Sequence, residues 1–313
     1  MGDTRMYEVL VIGSANADLM VRVGRRPGPG ETVPGTDLME SAGGKGANQA
    51  AAAARLGART ALLAKVGDDA FGRLVLDAQR AAGTQLRHVL VEKGARTGTA
   101  MIVVGPDGDN TIVVSPGANA RLTPDDVRAA REAVAASAVV SLQLEVPPET
   151  VRAAVDVAAE TGTRVVLNPS PAPDALDARL LSAADPLVVN EHEARQLSGL
   201  GDGSPGRWAR VLRERGARSV VVTLGGEGAL VLEAQAAEPV AVPGVEAEVV
   251  DTTGAGDAFT GALATRLARG ASLPDAVRFA VRVGAAAVTR EGAQSSYPTA
   301  EELNFSASGE RGL

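Results

Sequence analysis

Short runs of branched apolar residues alternate with longer stretches of helical period along most of the chain, and this alternation restricts the fold more than any other feature. Residues 9–12, 60–66, 138–144, 164–167, 187–189 and 219–224 read as strands that are apolar on both faces. Between them lie helical patterns at 47–56, 69–82, 125–136, 149–160 and 207–215, most of them closed by a glycine. Strands that alternate with helices predict a mostly parallel central sheet covered by helices on both faces. The start at Thr123-Pro124-Asp125-Asp126 is well marked, with a hydroxyl cap, proline at the first helical position and acids in the first turn.

Composition narrows what such a sheet can be built from. Hydrophobic residues make up 45% of the 313, but aromatics only 2%, so helices must approach the sheet closely through Ala, Val and Leu. The length fits one large α/β domain or two ordinary ones; we read 1–313 as a single domain. A formal net charge of −7 with no dense Lys/Arg run argues against nucleic acid or an anionic membrane as partner. No cysteine is present and only two histidines, His88 and His192, so thiolate chemistry is removed, a histidine metal site is nearly so, and any metal must be bound by oxygen. His192 reads as a surface residue. The apolar run 9–12 is far too short for a signal-peptide core or a membrane span, and the expected location is the cytoplasm. Residues 1–5 and 306–313 read as loose ends.

Two segments, 17–38 and 97–115, break the α/β rhythm. Both read as antiparallel β, the second with a hairpin turn at 105–110, and neither has a helix to cover it. They are expected to pair as a small sheet over the strand ends, a lid; an extra hairpin on the sheet edge is the plainer alternative.

The chemistry concentrates at strand ends and glycine-rich turns. Asp251-Thr252-Thr253-Gly254-Ala255-Gly256-Asp257 places two carboxylates around small residues where a helix begins. There the N–H groups of Gly254, Ala255, Gly256 and Asp257 can converge on an anion, with Asp257 beside it as a base. A simple helix cap remains the alternative. Gly43-Gly44-Lys45-Gly46-Ala47-Asn48 opens another helix; it is neither a Walker A loop nor GxGxxG, and it lets backbone approach a ligand while Lys45 offers charge and Asn48 an amide. Asn16 and Asp18, spaced alternately after the first strand, suit vicinal hydroxyls or else a plain turn. Gln143, Glu145, Asn168 and Asn190 also end strands, which together predict a polar pocket. Asn190 and Glu193 suit water-mediated Mg²⁺, which keeps much of its hydration shell. The turn Thr223-Leu224-Gly225-Gly226-Glu227-Gly228 would let a nucleotide lie against backbone, or is an ordinary hairpin.

The order and spacing of Asn16/Asp18, Gly43 to Asn48, Asn190 to Glu193, Thr223 to Gly228 and Asp251 to Asp257 resemble the ribokinase-like family of carbohydrate and nucleoside kinases, over about 7–298. The motifs at 44–49, 143–145, 168–169 and 290–294 are most similar to its ribose-phosphorylating members. What the resemblance implies is ATP-dependent phosphorylation of ribose at O5, with Asn16, Asp18, Gly44, Lys45, Asn48 and Glu145 at the sugar. It implies ATP contacts from Asn190 and Thr223 to Gly228, and Asp257 as catalytic base. It further implies an activating potassium ion near Asp251, Thr253, Ala287, Arg290, Gly292 and Ser296, and a homodimer through the lid. The rivals are a fructose, deoxygluconate or nucleoside kinase of the same family, a non-catalytic sugar sensor, and a dinucleotide-dependent dehydrogenase. The last lacks GxGxxG after its first strand. A nucleoside kinase would want aromatic walls from a chain with two Tyr, four Phe and one Trp.

Overall fold

A computed structural model describes residues 5–303. Apart from Arg5, the expected loose ends lie outside the described residues. An eight-stranded sheet forms the centre, in the spatial order Val240–Pro243, Gly228–Leu232, Val220–Thr223, Ala184–Asn190, Arg164–Leu167, Ser137–Leu142, Tyr7–Ile12 and Thr60–Leu63. From Val220–Thr223 to Thr60–Leu63 the neighbours run parallel, while Gly228–Leu232 is antiparallel to both of its partners. That is the expected architecture, with an antiparallel hairpin added at one edge.

Alternate residues of each central strand enter two separate cores, as the period of a strand dictates. Val9, Val11, Val139, Val166 and Val188 pack under helices Lys45–Arg55, Ala255–Ala268 and Leu273–Ala287. Leu10, Ile12, Val140, Leu142 and Leu167 face helices Pro148–Thr161, Glu191–Ser198 and Pro205–Glu214. Small residues let backbones meet where the site is built: a side chain at Gly261 would lie 2.6 Å from the Gln49 carbonyl oxygen. Gly261 lies one turn beyond Asp257, so its absent side chain lets helices Ala255–Ala268 and Lys45–Arg55 bring Asp257 beside Asn48 and Gln49.

Several boundaries differ from expectation. The helix expected at 125–136 is broken in two, Pro124–Ala129 and Arg131–Ala135, although the capping box on Thr123 is present. The run 60–66 divides between the main sheet and Lys65–Gly67, which pairs with Leu90–Glu92 in a separate ribbon. The two off-rhythm segments do share a four-stranded sheet, in the order Met39–Gly43, Asn16–Arg22, Gly98–Val104, Asn110–Ser115. Each segment folds back antiparallel on itself, but the pairing between them, Asn16–Arg22 against Gly98–Val104, is parallel. The first segment's return strand is Met39–Gly43, beyond the expected limit of 38, because residues 23–38 are mostly irregular. Among the described residues no helix is long and apolar enough to cross a membrane.

Candidate active site

Asp257 lies at the start of helix Ala255–Ala268, beneath a cavity of about 230 Å³ lined by Lys45, Asn168, Asn190, Glu193, Gly256 and Thr260 among others. The residue is 7% exposed, and its carboxylate accepts two amide hydrogen bonds, from Asn48 Nδ2 at 3.0 Å and Gln49 Nε2 at 3.1 Å. Burial pushes the Asp257 carboxyl above the ordinary carboxylate value; the Lys45 ammonium and the two amides oppose that rise, and Glu145 adds to it.

No side chain caps the helix that begins at Ala255. Its first-turn N–H groups have no acceptor within the helix, which leaves them free for an anion as expected from the sequence. One expected donor drops out, since the Ala255 N–H bonds to the Thr252 carbonyl at 3.2 Å. Gly254 has φ +73°, and a side chain there would strike the Tyr297 hydroxyl, which donates to the Gly254 carbonyl at 3.1 Å. Around Gly256 the space is open. The two glycines therefore differ, one packed tightly in a left-handed conformation and the other bordering open space.

Lys45 begins helix Lys45–Arg55 in the loop that Gly43, Gly44 and Gly46 let fold tightly. A side chain at Gly44, whose φ is +85°, would lie 2.8 Å from the Asn16 nitrogen, and one at Gly43 would overlap the Asp18 carboxylate. Glu145 Oε2 accepts from Ser14 Oγ at 2.6 Å and the Lys45 N–H at 3.1 Å, which places Glu145 against this loop. Burial alone would lower the Lys45 ammonium, but Asp257, Glu145 and Glu193 outweigh it and hold its pKa above the usual value. Burial pushes Asp18 up to about 7, helped by Glu145 and Asp257. Asp18, Lys45, Glu145 and Asp257 thus form one electrostatic group. Asn16 accepts from Asn119 Nδ2 at 2.6 Å at the same end of the small sheet.

Other expected residues carry different duties. Asn190 and Glu193 line the cavity but also cap each other's backbone at the start of helix Glu191–Ser198, with bonds of 2.8 and 2.9 Å. Asn48 is engaged on both sides, giving a proton to Asp257 and accepting one from Gln294. Of the turn 223–228, Thr223, Gly225, Gly226 and Gly228 line a second, apolar cavity of about 280 Å³ adjoining the first at Thr223 and Gly256. Leu224 instead packs on the opposite core, and Glu227 is exposed away from both cavities. Sequence reasoning missed the rest of that second cavity, including Val245, Val249, Val281 and Ala285, because scattered small apolar residues look like ordinary core. It also missed Gln79 and the role of Gln49 within the 44–49 motif.

Asp251 lies outside both cavities and ties two loops together, accepting from Thr253 N and Gly292 N, each at 2.9 Å. Burial would raise its carboxyl; the Thr253 and Gly292 hydrogen bonds outweigh that and lower it. Ser296 is fully buried and donates to the Ala293 carbonyl, Ala287 ends helix Leu273–Ala287, and the Arg290 side chain pairs with Glu302 at 3.2 Å. Among the described residues no cluster of His, Cys, Asp or Glu could hold a metal by side chains alone.

Asp257 is thus a buried acid at an uncapped helix start, on the wall of the first of two joined cavities. A family model described as pfkB family carbohydrate kinase matches residues 6–300. The chain belongs to that family. It is 37% identical to the ribokinase of Mus musculus, covering 94% of this chain and 93% of that one. It is 36% identical to the deoxyribokinase of Salmonella typhi, covering 95% and 97%. The fold superposes with a TM-score of 0.88 on Arabidopsis thaliana ribokinase complexed with ribose and ATP, at 32% identity over 96% of this chain and 98% of that one.

Proposed function

We propose that the protein transfers the γ-phosphoryl group of ATP to O5 of D-ribose, giving ribose 5-phosphate and ADP. The observation that carries this reading is Asp257, buried, held by two amides and set at the mouth of an uncapped helix. Similarity to ribokinases over nearly the whole length supports the choice of sugar.

In this reading the adenine fills the apolar cavity walled by Val245, Val249 and Ala285, and the triphosphate follows Gly225 and Gly226 toward Gly256. Ribose lies under the small sheet, its hydroxyls toward Asp18, Lys45, Glu145 and Asn16. O5 attacks the γ-phosphorus as the Asp257 carboxylate takes the O5 proton; the new O5–P bond forms while the bridging P–O bond breaks and ADP keeps the electron pair. Because the transition state is loose, with charge spread over equatorial oxygens, the first-turn N–H groups and Lys45 act mainly by neutralising and positioning. Asp257 as base contributes about 10²–10⁴-fold.

Glu193 and Asn190 would hold waters of a nucleotide-bound Mg²⁺, which when bound supplies positive charge to the phosphates; their place on the cavity wall fits this outer role. Potassium would be held by Asp251, the carbonyls of Thr253, Ala287, Arg290 and Gly292, and the Ser296 hydroxyl. The two backbone bonds that Asp251 makes, one to each loop, support that oxygen-rich grouping. In this reading the protein works in the cytoplasm, where ATP is at hand. The edge strand Asn110–Ser115 is exposed throughout, with Ile112, Val113 and Val114 near half exposed, and this supports a homodimer through the lid.

The test is ADP release over ribose, deoxyribose, fructose and several nucleosides, with and without potassium. Ribose-dependent, potassium-stimulated release supports the reading; turnover of deoxyribose or a nucleoside alone would replace the substrate.

A further inference from the structure

The two amides that hold Asp257 end two different chains of side-chain hydrogen bonds, and a main-chain carbonyl fixes the direction of each. Gln79 Nε2, on helix Ala70–Ala82, donates to the Ala47 carbonyl at 2.9 Å and to Gln294 Oε1 at 3.0 Å. Gln294 Nε2 donates to Asn48 Oδ1 at 3.0 Å, and Asn48 Nδ2 to Asp257 Oδ2 at 3.0 Å. A main-chain carbonyl only accepts, so the Gln79 atom facing it must be nitrogen. That nitrogen obliges Gln294 to present oxygen to it and nitrogen to Asn48. Asn48 must then present nitrogen to Asp257. Gln79 is fully buried, Asn48 6% and Gln294 9% exposed, so water does not replace these partners.

The second chain has an anchor of its own: Asn168 Nδ2 donates to the Val188 carbonyl at 3.0 Å, so Asn168 turns Oδ1 toward Gln49 Nε2, at 3.4 Å. Gln49 Oε1 accepts from Ser141 Oγ at 2.8 Å and from Gln143 Nε2, while the other amide atom of Gln143, Oε1, is buried without a partner. A hydroxyl serves as donor or acceptor equally, so Ser141 does not set the direction.

We infer that Gln294 and Gln79 are positioning residues which, working through Asn48, oblige Asp257 to face its neighbour as an acceptor and so keep it competent as the base. This rests on the kinase reading above for its consequence in turnover, but not for its effect on the carboxyl itself. In the phosphotransfer step the amide-bound side of Asp257 is occupied by donors, so the proton from the sugar hydroxyl must arrive on the side open to the cavity.

The test substitutes Gln294→Glu. A carboxylate has no hydrogen to give Asn48, so Asn48 must turn its NH₂ toward the new carboxylate and its oxygen toward Asp257, which makes two acceptors meet. The acid limb of kcat/KM for ribose then moves to higher pH by about one unit or more, and kcat falls at least about tenfold at neutral pH. Lost packing alone would lower stability without moving the limb. Titration of the Asp257 carboxyl by carbon NMR moves the same way, and needs no substrate. If Gln294→Glu does not fold, Gln294→Met keeps the volume and breaks the relay: kcat drops at least about tenfold while ribose and ADP affinities, by calorimetry, stay within about threefold. A folded Gln294→Glu with a wild-type pH limb and carboxyl titration, or a Gln294→Met with wild-type kcat, overturns the inference. Wild-type protein inactive on ribose overturns the substrate instead, and the carboxyl titration still decides the relay.

Discussion

The Tyr297 hydroxyl donates to the Gly254 carbonyl at 3.1 Å, pinning the C-terminal loop to the turn that precedes helix Ala255–Ala268. Tyr297 is fully buried, and burial holds its hydroxyl well above the usual phenol pKa, so it remains a proton donor at any working pH. Tyr297→Phe leaves that carbonyl without its donor and is expected to lower the unfolding free energy by about 1–3 kcal/mol, measured by urea denaturation. Gly254→Ala is expected to cost at least as much, since a side chain there meets both the hydroxyl and Ala293 at a φ of +73°.

Asp257→Asn preserves the volume of the acid and removes the base. Turnover should fall by about 10²–10⁴-fold, with ribose and ADP affinities nearly unchanged by calorimetry. A variant that kept the wild-type rate would remove Asp257 from the chemistry.

Asp18 titrates where activity is measured. With its carboxyl raised to about 7 by burial and by Glu145 and Asp257, it is largely protonated below that pH and accepts sugar hydroxyls less well. KM for ribose should therefore rise as pH falls through about 7, and Asp18→Asn should lose that dependence. For stability the sign is opposite. A raised acid favours the folded state below its unfolded pKa of 3.8, and that contribution is lost as pH rises through about 7. Asp18→Asn should then flatten the decline in melting temperature across this window.

Asp251→Ala removes the acceptor shared by Thr253 and Gly292. The expected result is loss of potassium stimulation with Asp257 still in place, read as the ratio of rates with and without the cation. An unchanged ratio would place the cation elsewhere.

Ala285→Phe fills the apolar cavity next to Val281 and Val288. KM for ATP should rise about tenfold or more, whereas ribose affinity, measured without nucleotide, should stay the same.

The parallel sheet, its covering helices and the acid turn were legible because period, glycine position and carboxylate placement are local properties of a sequence. The small sheet's edges were not: 23–38 is rich in Gly and Pro and mostly irregular, and the return strand Met39–Gly43 contains the small residues of the glycine loop. Pairing of 16–22 with 98–104 in parallel depends on a contact between distant segments, which alternation cannot reveal. Within the site, Asp257, Lys45 and Glu145 announce themselves by charge. Gln79 and Gln294 do not, since an amide reads as surface until its partners are placed, and Asn190 and Glu193 satisfy a helix cap as readily as a metal's water.

That distant parallel contact also orders events during synthesis. Asn16 must wait for Gly98 to emerge from the ribosome before its strand gains its parallel partner, and an isolated hairpin is marginal in water. The nascent chain therefore carries an unfinished β edge until 98–104 has been made, and lesions in 98–104 should reveal themselves first as poor yield of native protein rather than as altered kinetics.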